Sequence, residues 1–478
     1  MTDPATLLAA TNHAYEAVHT RKEDAFWASL MGLGGGGAEL AREKEAAEIA
    51  WNRFLQDPER LAAIEAALAR VESETQANAE SPASGGAEDT DAAVLVALRG
   101  WRTTLLAHGL ASAEARALSE AIVAAEGRLA DARAAMVTGY EGPEGFVPAS
   151  SVKLAVMVRS EPDPALRQAA WRGLRAIEDH VLAHGFLDVV RMRNALGRLH
   201  GAPNFYAWKV QRTEQLSIEQ IFTLLGDLEE RTRAAAQRFL DELSGAEGND
   251  ALHPWDIHYR VTGASVAEQD PYFSFGDAVD RWGRSFAAMG IDYRGARLVL
   301  DLVDRVGKYE NGFMHGPEVA WRDGDTFRQA RIHFTSNAIP GMKGAGKRAM
   351  TTLFHEGGHA AHFANIDMPA PCFGQEFAPT SAAFCETQSM FLDSLLDDAD
   401  WLVRYARDTE GRPMPLELIE AGIRAAQPIE AWEKRAWLAI CYGERALYEL
   451  ADDELTPERV LAELRAVETR MMLLPEGS

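Results

Sequence analysis

The chain has 478 residues, of which 47% are hydrophobic and 25% charged, a composition typical of a globular protein with a large core. Its formal net charge of −24 argues against nucleic acids and anionic membrane surfaces as partners, because binding to phosphates requires clustered lysine and arginine. Three scattered cysteines exclude a disulfide framework, and the first residues lack the basic segment and apolar run of a secretory signal. We therefore expect a cytoplasmic protein that binds neither nucleic acid nor membrane.

The beginning of the chain predicts helices, because apolar residues recur every three or four positions with charged residues between them. Between Ser73 and Asp91 the sequence becomes small and polar, which predicts an exposed loop or a disordered linker. A cluster of glycines and prolines between Gly139 and Ser151 predicts turns. We place a boundary there and predict an N-terminal helical region over residues 1–150 and a second region over residues 151–478. The helical spacing of the first region covers residues 39–54, 58–74 and 92–138.

The second region is predicted to be mainly helical, with one exception. Between residues 298 and 334, short apolar runs alternate with glycine and charged residues, which predicts a small antiparallel sheet. The sequence therefore predicts a mainly α fold with a minor β element. Helical spacing covers residues 163–199, 217–243, 270–289, 380–396, 416–426, 430–450 and 457–473.

Residues 351–365, TTLFHEGGHAAHFAN, contain the pattern H-E-x-x-H at His355, Glu356 and His359. Residues four apart on a helix face the same way, so the two imidazoles can hold Zn²⁺ and the glutamate between them can act on a water molecule. Gly357 and Gly358 each weaken the helix by about 1 kcal/mol relative to alanine, which indicates that another element approaches closely here. For so short a pattern, the alternative is a buried helix whose histidines are satisfied by hydrogen bonds.

A third ligand is expected on a second helix that crosses the first. The downstream stretch PTSAAFCETQSMFLD carries Glu386 and Asp393, which share one helix face. Glu386 would complete a His₂Glu set with an open fourth position, the arrangement of catalytic zinc sites. Asp393 would orient a ligand histidine through a hydrogen bond. For both residues the alternative is a solvated helix face.

The stretch TLFHEGGHAAH followed by TSAAFCETQSMFLD resembles the thimet oligopeptidase and oligoendopeptidase F family of zinc metallopeptidases. In that family a glutamate at the position of Glu386 is the third zinc ligand. Weaker likenesses fall in the family's order between about residues 163 and 393. They are RMRNALGRLHGAPNFYAW at residues 191–208, PWDIHY at 254–259 and LDLVDRVGKY at 300–309.

The resemblance implies a helical bowl split by a deep channel, with one zinc ion per chain at its floor. Such a channel would admit short unstructured peptides and exclude folded proteins. Glu356 would accept the proton of the zinc-bound water and pass it to the leaving amine as internal peptide bonds are hydrolysed. An edge of the small sheet would line the channel, and residues 331–337 are its candidate. His315 and His333 lie nearby and would contact substrate or the ligand surroundings, although structural histidines are an equal alternative.

The sequence departs from the family after the zinc segment. The family's C-terminal, tyrosine-rich segment donates a hydrogen bond to the oxyanion, an interaction typically worth about 2.7–4 kcal/mol. Here only Tyr405, Tyr442 and Tyr448 follow, none in a Gly-Tyr or Tyr-Tyr pair, so the chain is expected to end before that segment. Three alternatives follow: a second subunit that supplies the tyrosine, as in a split heterodimeric peptidase, a peptidase with another donor, or a non-catalytic zinc-binding homologue. Carboxypeptidase-type trimming is a further alternative, because related bowl-shaped carboxypeptidases share H-E-x-G-H.

Overall fold

The computed structural model describes residues 3–33, 38–80 and 88–475. Its N-terminal part is helical, as predicted. Helix starts are fixed by side-chain caps: the Asp3 carboxylate accepts a hydrogen bond from the Thr6 amide, and the Ser112 hydroxyl accepts one from the Ala115 amide. The helices are α1 (Pro4–Leu30), α2 (Ala38–Leu55), α3 (Pro58–Glu80), α4 (Glu88–His108) and α5 (Ala113–Ala135).

The predicted linker between Ser73 and Asp91 is wrong at both of its ends. Helix α3 continues to Glu80 and α4 already begins at Glu88, while residues 81–87 lie outside the described part of the chain. The two helices pack against each other through a shared apolar core and through an ion pair of 2.8 Å between Arg99 and Glu72. This tertiary packing stabilises helix in a stretch whose own residues favour it weakly.

The middle of the chain holds a short hairpin and seven helices. The predicted turn cluster forms the hairpin, whose strands are β1 (Gly139–Gly142) and β2 (Gly145–Pro148). The single helix predicted over residues 163–199 is divided at Gly185, where the backbone takes φ of +95°, a conformation that favours glycine. The helices are α6 (Ser151–Ser160), α7 (Pro164–Ala183), α8 (Phe186–Leu199), α9 (Phe205–Glu214), α10 (Ile218–Glu247), α11 (Ile257–Gln269) and α12 (Ala278–Ala288).

The predicted sheet forms, but its arrangement differs in two respects. Its strands β3 (Arg297–Val303), β4 (Phe313–Glu318) and β7 (Arg331–Ala338) follow the order β3-β7-β4. Strands β3 and β7 run parallel and β4 and β7 antiparallel, so the sheet is mixed. Residues 331–337, predicted to be an edge, belong to the central strand, which is buried along nearly its whole length because both faces are covered. A small separate hairpin is formed by β5 (Trp321–Asp323) and β6 (Thr326–Arg328).

The last third of the chain is again helical, which confirms the mainly α fold. Helix α13 carries the H-E-x-x-H pattern and packs between the sheet and α14 in the largest hydrophobic core, around Phe334, Leu353, Phe354 and Leu392. No helix in the described ranges is long and apolar enough to cross a membrane. The helices are α13 (Ala345–Ala364), α14 (Ala382–Asp393), α15 (Ala399–Tyr405), α16 (Leu416–Ala426), α17 (Glu430–Glu449) and α18 (Pro457–Met472).

Helix α1 lies along the outer strand β4 and joins the N-terminal part to the sheet. His19 Nε2 donates to the Gly316 carbonyl at 2.9 Å, and the Thr20 hydroxyl donates to the Pro317 carbonyl at 2.7 Å. At the end of α1, the Leu30 carbonyl accepts a hydrogen bond of 2.8 Å from the Tyr309 amide. The first helix is therefore part of the structure around the sheet, and a domain division at residue 150 stays a prediction.

Candidate metal centre

Three of the predicted site residues meet at one point between α13 and α14. His355 Nε2 lies 3.3 Å and His359 Nε2 lies 3.5 Å from the same oxygen, Oε2, of Glu386. The three potential ligand atoms all fall within 4.8 Å of one another. The two histidines come from successive turns of α13 and the glutamate from the crossing helix, as their spacing in the sequence predicts.

Two adjacent glycines in α13 allow this close crossing. A Cβ at Gly358 would lie 3.0 Å from the Cα of Ser389 on α14. On the neighbouring side, a Cβ at Gly357 would lie 2.4 Å from Nε1 of Trp282 in the core. The close approach predicted from these glycines is therefore confirmed. The buried Ser389 hydroxyl also donates to Oε2 of Glu386 at 3.1 Å, which helps to hold the carboxylate towards the histidines.

Asp393 lies behind the first histidine. Its Oδ2 accepts a hydrogen bond of 2.8 Å from Nδ1 of His355, so Nε2 of that ring is turned towards Glu386. The second histidine has no such support: Nδ1 of His359 is buried and has no hydrogen-bond partner among the described residues. The two rings are therefore held differently, one by a carboxylate and one by packing.

The charges of this group suit a divalent metal. Hydrogen bonds from His355 and His359 hold the pKa of Glu386 well below its usual range. Burial lowers the pKa of His355, but its hydrogen bonds to Asp393 and Glu386 outweigh that effect and raise the pKa to about 10. The carboxylates thus attract positive charge to the point where two imidazole nitrogens and a carboxylate oxygen converge. This donor set is one that Zn²⁺ prefers, so the residues fit the predicted ion.

Glu356 lies beside the group and has a different environment. The residue is only 5% exposed, and none of the described residues forms a hydrogen bond or ion pair with its carboxylate. Burial raises its pKa to about 8, although the nearby His355 opposes the shift. Gly312 lets the backbone before β4 pass close by, since a Cβ there would lie 3.2 Å from Oε1 of Glu356 and 2.2 Å from Cγ2 of Thr352. A buried carboxyl group with this pKa is suited to proton transfer near neutral pH.

Two cavities meet at this point. The smaller, of about 350 Å³, is lined by His355, Glu356 and Asp393 together with residues that the sequence did not single out, among them Asn311 and Arg348. The larger, of about 630 Å³, runs beside β4 and shares Asn311 and Gly312 with the smaller one. Helices α1 and α2 contribute to the wall of the larger cavity. Its lining includes His19, Lys22, Glu23, Phe26, Trp51, Phe313, His315 and Glu376.

His315 and His333 lie away from the metal group. His315 lines the larger cavity, and its Nδ1 is 2.7 Å from Oε2 of Glu23 on α1. His333 is buried on β7 against Trp27, with its ring centroid 5.2 Å from that of His315. The structure therefore does not bring either histidine to the ligands, and their contact with substrate stays a prediction.

Sequence reasoning missed three kinds of site residue. Arg348 could have been found, because it precedes His355 by seven residues and so shares its helix face. Glu376, whose carboxylate has no ion-pair or hydrogen-bond partner in the described ranges, lies in the loop before α14 without a motif. The residues of α1 gave no local signal, since they meet β4 only through contacts between distant parts of the chain.

Comparison with known proteins gives one family and one fold. The family model described as Peptidase family M3 matches residues 157–477. Among curated protein sequences, none matches the chain. The chain is similar to the structure of an oligoendopeptidase F from Bacillus anthracis str. Ames, with a TM-score of 0.54 and 11% identity over 96% of this chain and 82% of that one.

Two carboxypeptidases share the same architecture. For the M32 carboxypeptidase from Deinococcus radiodurans R1, the TM-score is 0.53 and the identity 15% over 99% of this chain and 79% of that one. For metallocarboxypeptidase 1 of Trypanosoma cruzi, the TM-score is 0.57 and the identity 13% over 98% of this chain and 79% of that one. At such identities the likeness shows the fold alone, and the neighbours differ in the type of cleavage that their names give.

Proposed function

Since the chain belongs to peptidase family M3, as the resemblance of its motifs indicated, we propose that it is a zinc-dependent oligopeptidase that hydrolyses internal bonds of short unstructured peptides. The observation that carries this proposal is the convergence of His355, His359 and Glu386 beside the buried carboxyl group of Glu356. In this role the first three residues hold one zinc ion. Glu356 acts as the general base and then as the general acid.

Each residue of the candidate site has its own role in the proposed hydrolysis. A zinc ion in a His₂Glu set supplies Lewis acidity, which polarises a carbonyl group and makes water a better nucleophile near neutral pH. Glu356 is placed to accept the proton of the attacking water and to deliver it to the leaving amine. Its carboxylate is available for this role because no described residue forms a hydrogen bond or ion pair with it. Asp393 acts through His355, whose ring it orients, and is therefore a positioning residue.

The cavities support a peptide as the substrate. Volumes of about 350 and 630 Å³ are typical of sites for small ligands and exclude a folded domain. The larger cavity offers the aromatic rings of Phe26, Trp51 and Phe313, which suit the apolar side chains of a peptide. Since α1 and α2 supply two of these rings, the N-terminal helices take part in substrate selection.

Replacement of Glu356 by glutamine tests the proposal. Glutamine keeps the size of the side chain but cannot take up a proton, so the turnover of a quenched fluorescent peptide should fall by about 10²–10⁴-fold. The exposed Glu417 on α16 provides a matched control, and E417Q should cleave at the wild-type rate. Metal analysis should find one zinc ion per chain in both variants. If E356Q cleaved as fast as wild type, or if no stoichiometric zinc were found, the proposed function would be wrong.

We also propose that full activity, beyond the basal turnover of the single chain, requires a second polypeptide that packs on α14 and supplies the tyrosine donor to the oxyanion. Support comes from the surface of this helix, where Phe384, Met390 and Phe391 are 56%, 41% and 65% exposed. Exposed apolar side chains so close together are typical of an interaction surface. The side chain of Glu386 on the same helix is itself 53% exposed. A monodisperse single chain with full peptidase activity would contradict this second proposal.

A further inference from the structure

An arginine without a partner lies in the same cavity as the proposed catalytic residues. Arg348 on α13 lines the cavity of about 350 Å³ together with His355 and Glu356. Within the described ranges, its guanidinium group forms neither a hydrogen bond nor an ion pair. The residue is exposed, in contrast to the buried Arg167 and Arg435, which are paired with Asp256 and Glu229. Arg348 therefore offers unused donors to whatever enters the cavity.

The position of Arg348 on the helix sets its distance from the reaction centre. It precedes His355 by two turns and so projects from the same face of α13. Seven residues of helix correspond to a rise of about 10.5 Å. An extended peptide spans about 3.3–3.6 Å per residue, so about three substrate residues cover this distance. A group carried that far from the scissile bond reaches the guanidinium.

The surroundings keep positive charge at this end of the cavity. Desolvation by the surrounding protein, together with the charge of nearby Arg159, lowers the pKa of Arg348 to about 10, and the group stays charged at neutral pH. Arg159 continues the face of α6 whose Val152 and Val156 line the cavity. The carboxylate nearest to Arg159 is that of Glu433, at 3.7 Å. Arg159 thus has one carboxylate partner, and Arg348 has none among the described residues.

A histidine at this end adds no positive charge. Nδ1 of His258 lies 3.3 Å from an oxygen of Glu433. Burial, together with the charges of Arg159 and Arg348, lowers the pKa of His258 to about 3, so its ring is neutral at pH 7. The positive charge at this end of the cavity therefore comes from the guanidinium groups, while the acidic residues Glu310, Glu356 and Asp393 line the same cavity.

We propose that Arg348, supported by Arg159, forms a subsite for a carboxylate of the peptide substrate, placed about three residues from the scissile bond. The planar fork of a guanidinium matches a carboxylate with two parallel hydrogen bonds. The carboxylate comes from either the C-terminus of the peptide or an acidic side chain. The proposal rests on the peptidase function proposed above and names the substrate feature that the site selects.

The test compares peptides that differ by one carboxylate. One pair has a free C-terminal acid or a C-terminal amide, and a second series of amides carries glutamate or glutamine at each position on both sides of the cleaved bond. Wild-type protein should prefer one carboxylate-bearing peptide by about ten- to a hundredfold in kcat/KM, as expected for a hydrogen bond to a charged group. In R348Q this ratio should fall towards one, and in R348K it should fall partly.

A neighbouring cation provides the control. Lys347 Nζ is ion-paired to Asp397 at 2.6 Å and does not line the cavity. K347Q should therefore keep both the wild-type rate and the wild-type ratio. Thermal melting shows whether each variant is folded.

Each outcome has one meaning. A loss of the acid-to-amide ratio in R348Q assigns the subsite to the C-terminus, and a loss of the glutamate-to-glutamine ratio assigns it to a side chain. Equal rates on all peptides with wild type, or an unchanged ratio in R348Q, overturn the subsite but leave the peptidase function intact. If wild type cleaves no peptide, the proposed function fails separately. Fluorescence anisotropy of the same labelled acid and amide peptides then tests the subsite by binding.

Discussion

Replacing Gly358 by alanine tests whether the close packing of α14 on α13 controls metal binding. The added Cβ would lie 3.0 Å from the Cα of Ser389 and 3.3 Å from the Cβ of Leu392. Carbon atoms in contact lie about 3.5–4.0 Å apart, so α14 must move outward by roughly 0.5–1 Å. The Cα of Ser389 belongs to the backbone, so it cannot relieve the contact by a rotamer change as the end of a flexible side chain can. Glu386, one turn away on the same helix, moves with it and away from the two histidines.

The size of the effect follows from how strictly metals choose their ligand distances. Sites tolerate deviations of about 0.2 Å, so a displacement of roughly 0.5 Å weakens the contribution of Glu386. We expect the affinity for zinc to fall about 10–100-fold, as it does when the support of a ligand is disturbed. Overpacking costs about 1–3 kcal/mol, but alanine favours helix over glycine by about 1 kcal/mol. The stability of the metal-free protein should therefore fall by no more than about 2 kcal/mol.

Competition with a chromophoric chelator measures the zinc affinity, and thermal melting of the metal-free protein measures stability. Gly127 is the matched control, because it lies inside α5 and a Cβ there would meet no atom within 4 Å. G127A should bind zinc as wild type does and gain about 0.4–1 kcal/mol of stability. If G358A behaved like G127A in both measurements, the packing argument would be refuted.

Two further changes probe other parts of the structure. Asp393→Ala removes the acceptor of the hydrogen bond from His355 and should weaken zinc binding about 10–100-fold in the same competition assay. The control, replacement of the exposed Asp400 by alanine, should leave the zinc affinity unchanged. Equal affinities of the two variants would contradict the role of Asp393. Burial lowers the pKa of His108 to about 3, whereas the pKa of this group in the unfolded chain is about 6.5. As the pH drops from about 6.5 to about 3, the unfolded state therefore binds a proton that the folded state does not, and the free energy of unfolding falls. His108→Phe should flatten this part of the stability curve measured by chemical denaturation, by at most about 1.4 kcal/mol per pH unit, and parallel curves would contradict it.

The geometry of the candidate metal centre was largely predictable because its information is local. His355 and His359 are one turn apart on α13, and Glu386 and Asp393 share a face of α14, so helical periodicity alone orients each pair. Helical periodicity could not show whether the two helices cross at these residues. The adjacent glycines indicated a close approach, and the structure places Ser389 at that point.

The remaining features depend on pairing between distant segments. The position of β7 between β3 and β4 follows from which strands pair, and its sequence, RIHFTSNA, mixes polar and apolar residues and does not distinguish the centre of a sheet from an edge. Arg348 could be placed on the face of His355, but its lack of a partner is visible only once every neighbouring carboxylate has a position. The helical ends of the predicted linker likewise depend on the packing of α3 against α4.

The contact of α1 with β4 imposes an order on events during synthesis. His19 is hydrogen-bonded to a residue 297 positions later, so the first helix leaves the ribosome long before its partner strand exists. At about 5–20 residues per second, the interval is roughly 15–60 s. Throughout that time one wall of the larger cavity is present and the opposite wall is absent. A nascent chain therefore cannot form the complete cavity until translation has passed the sheet.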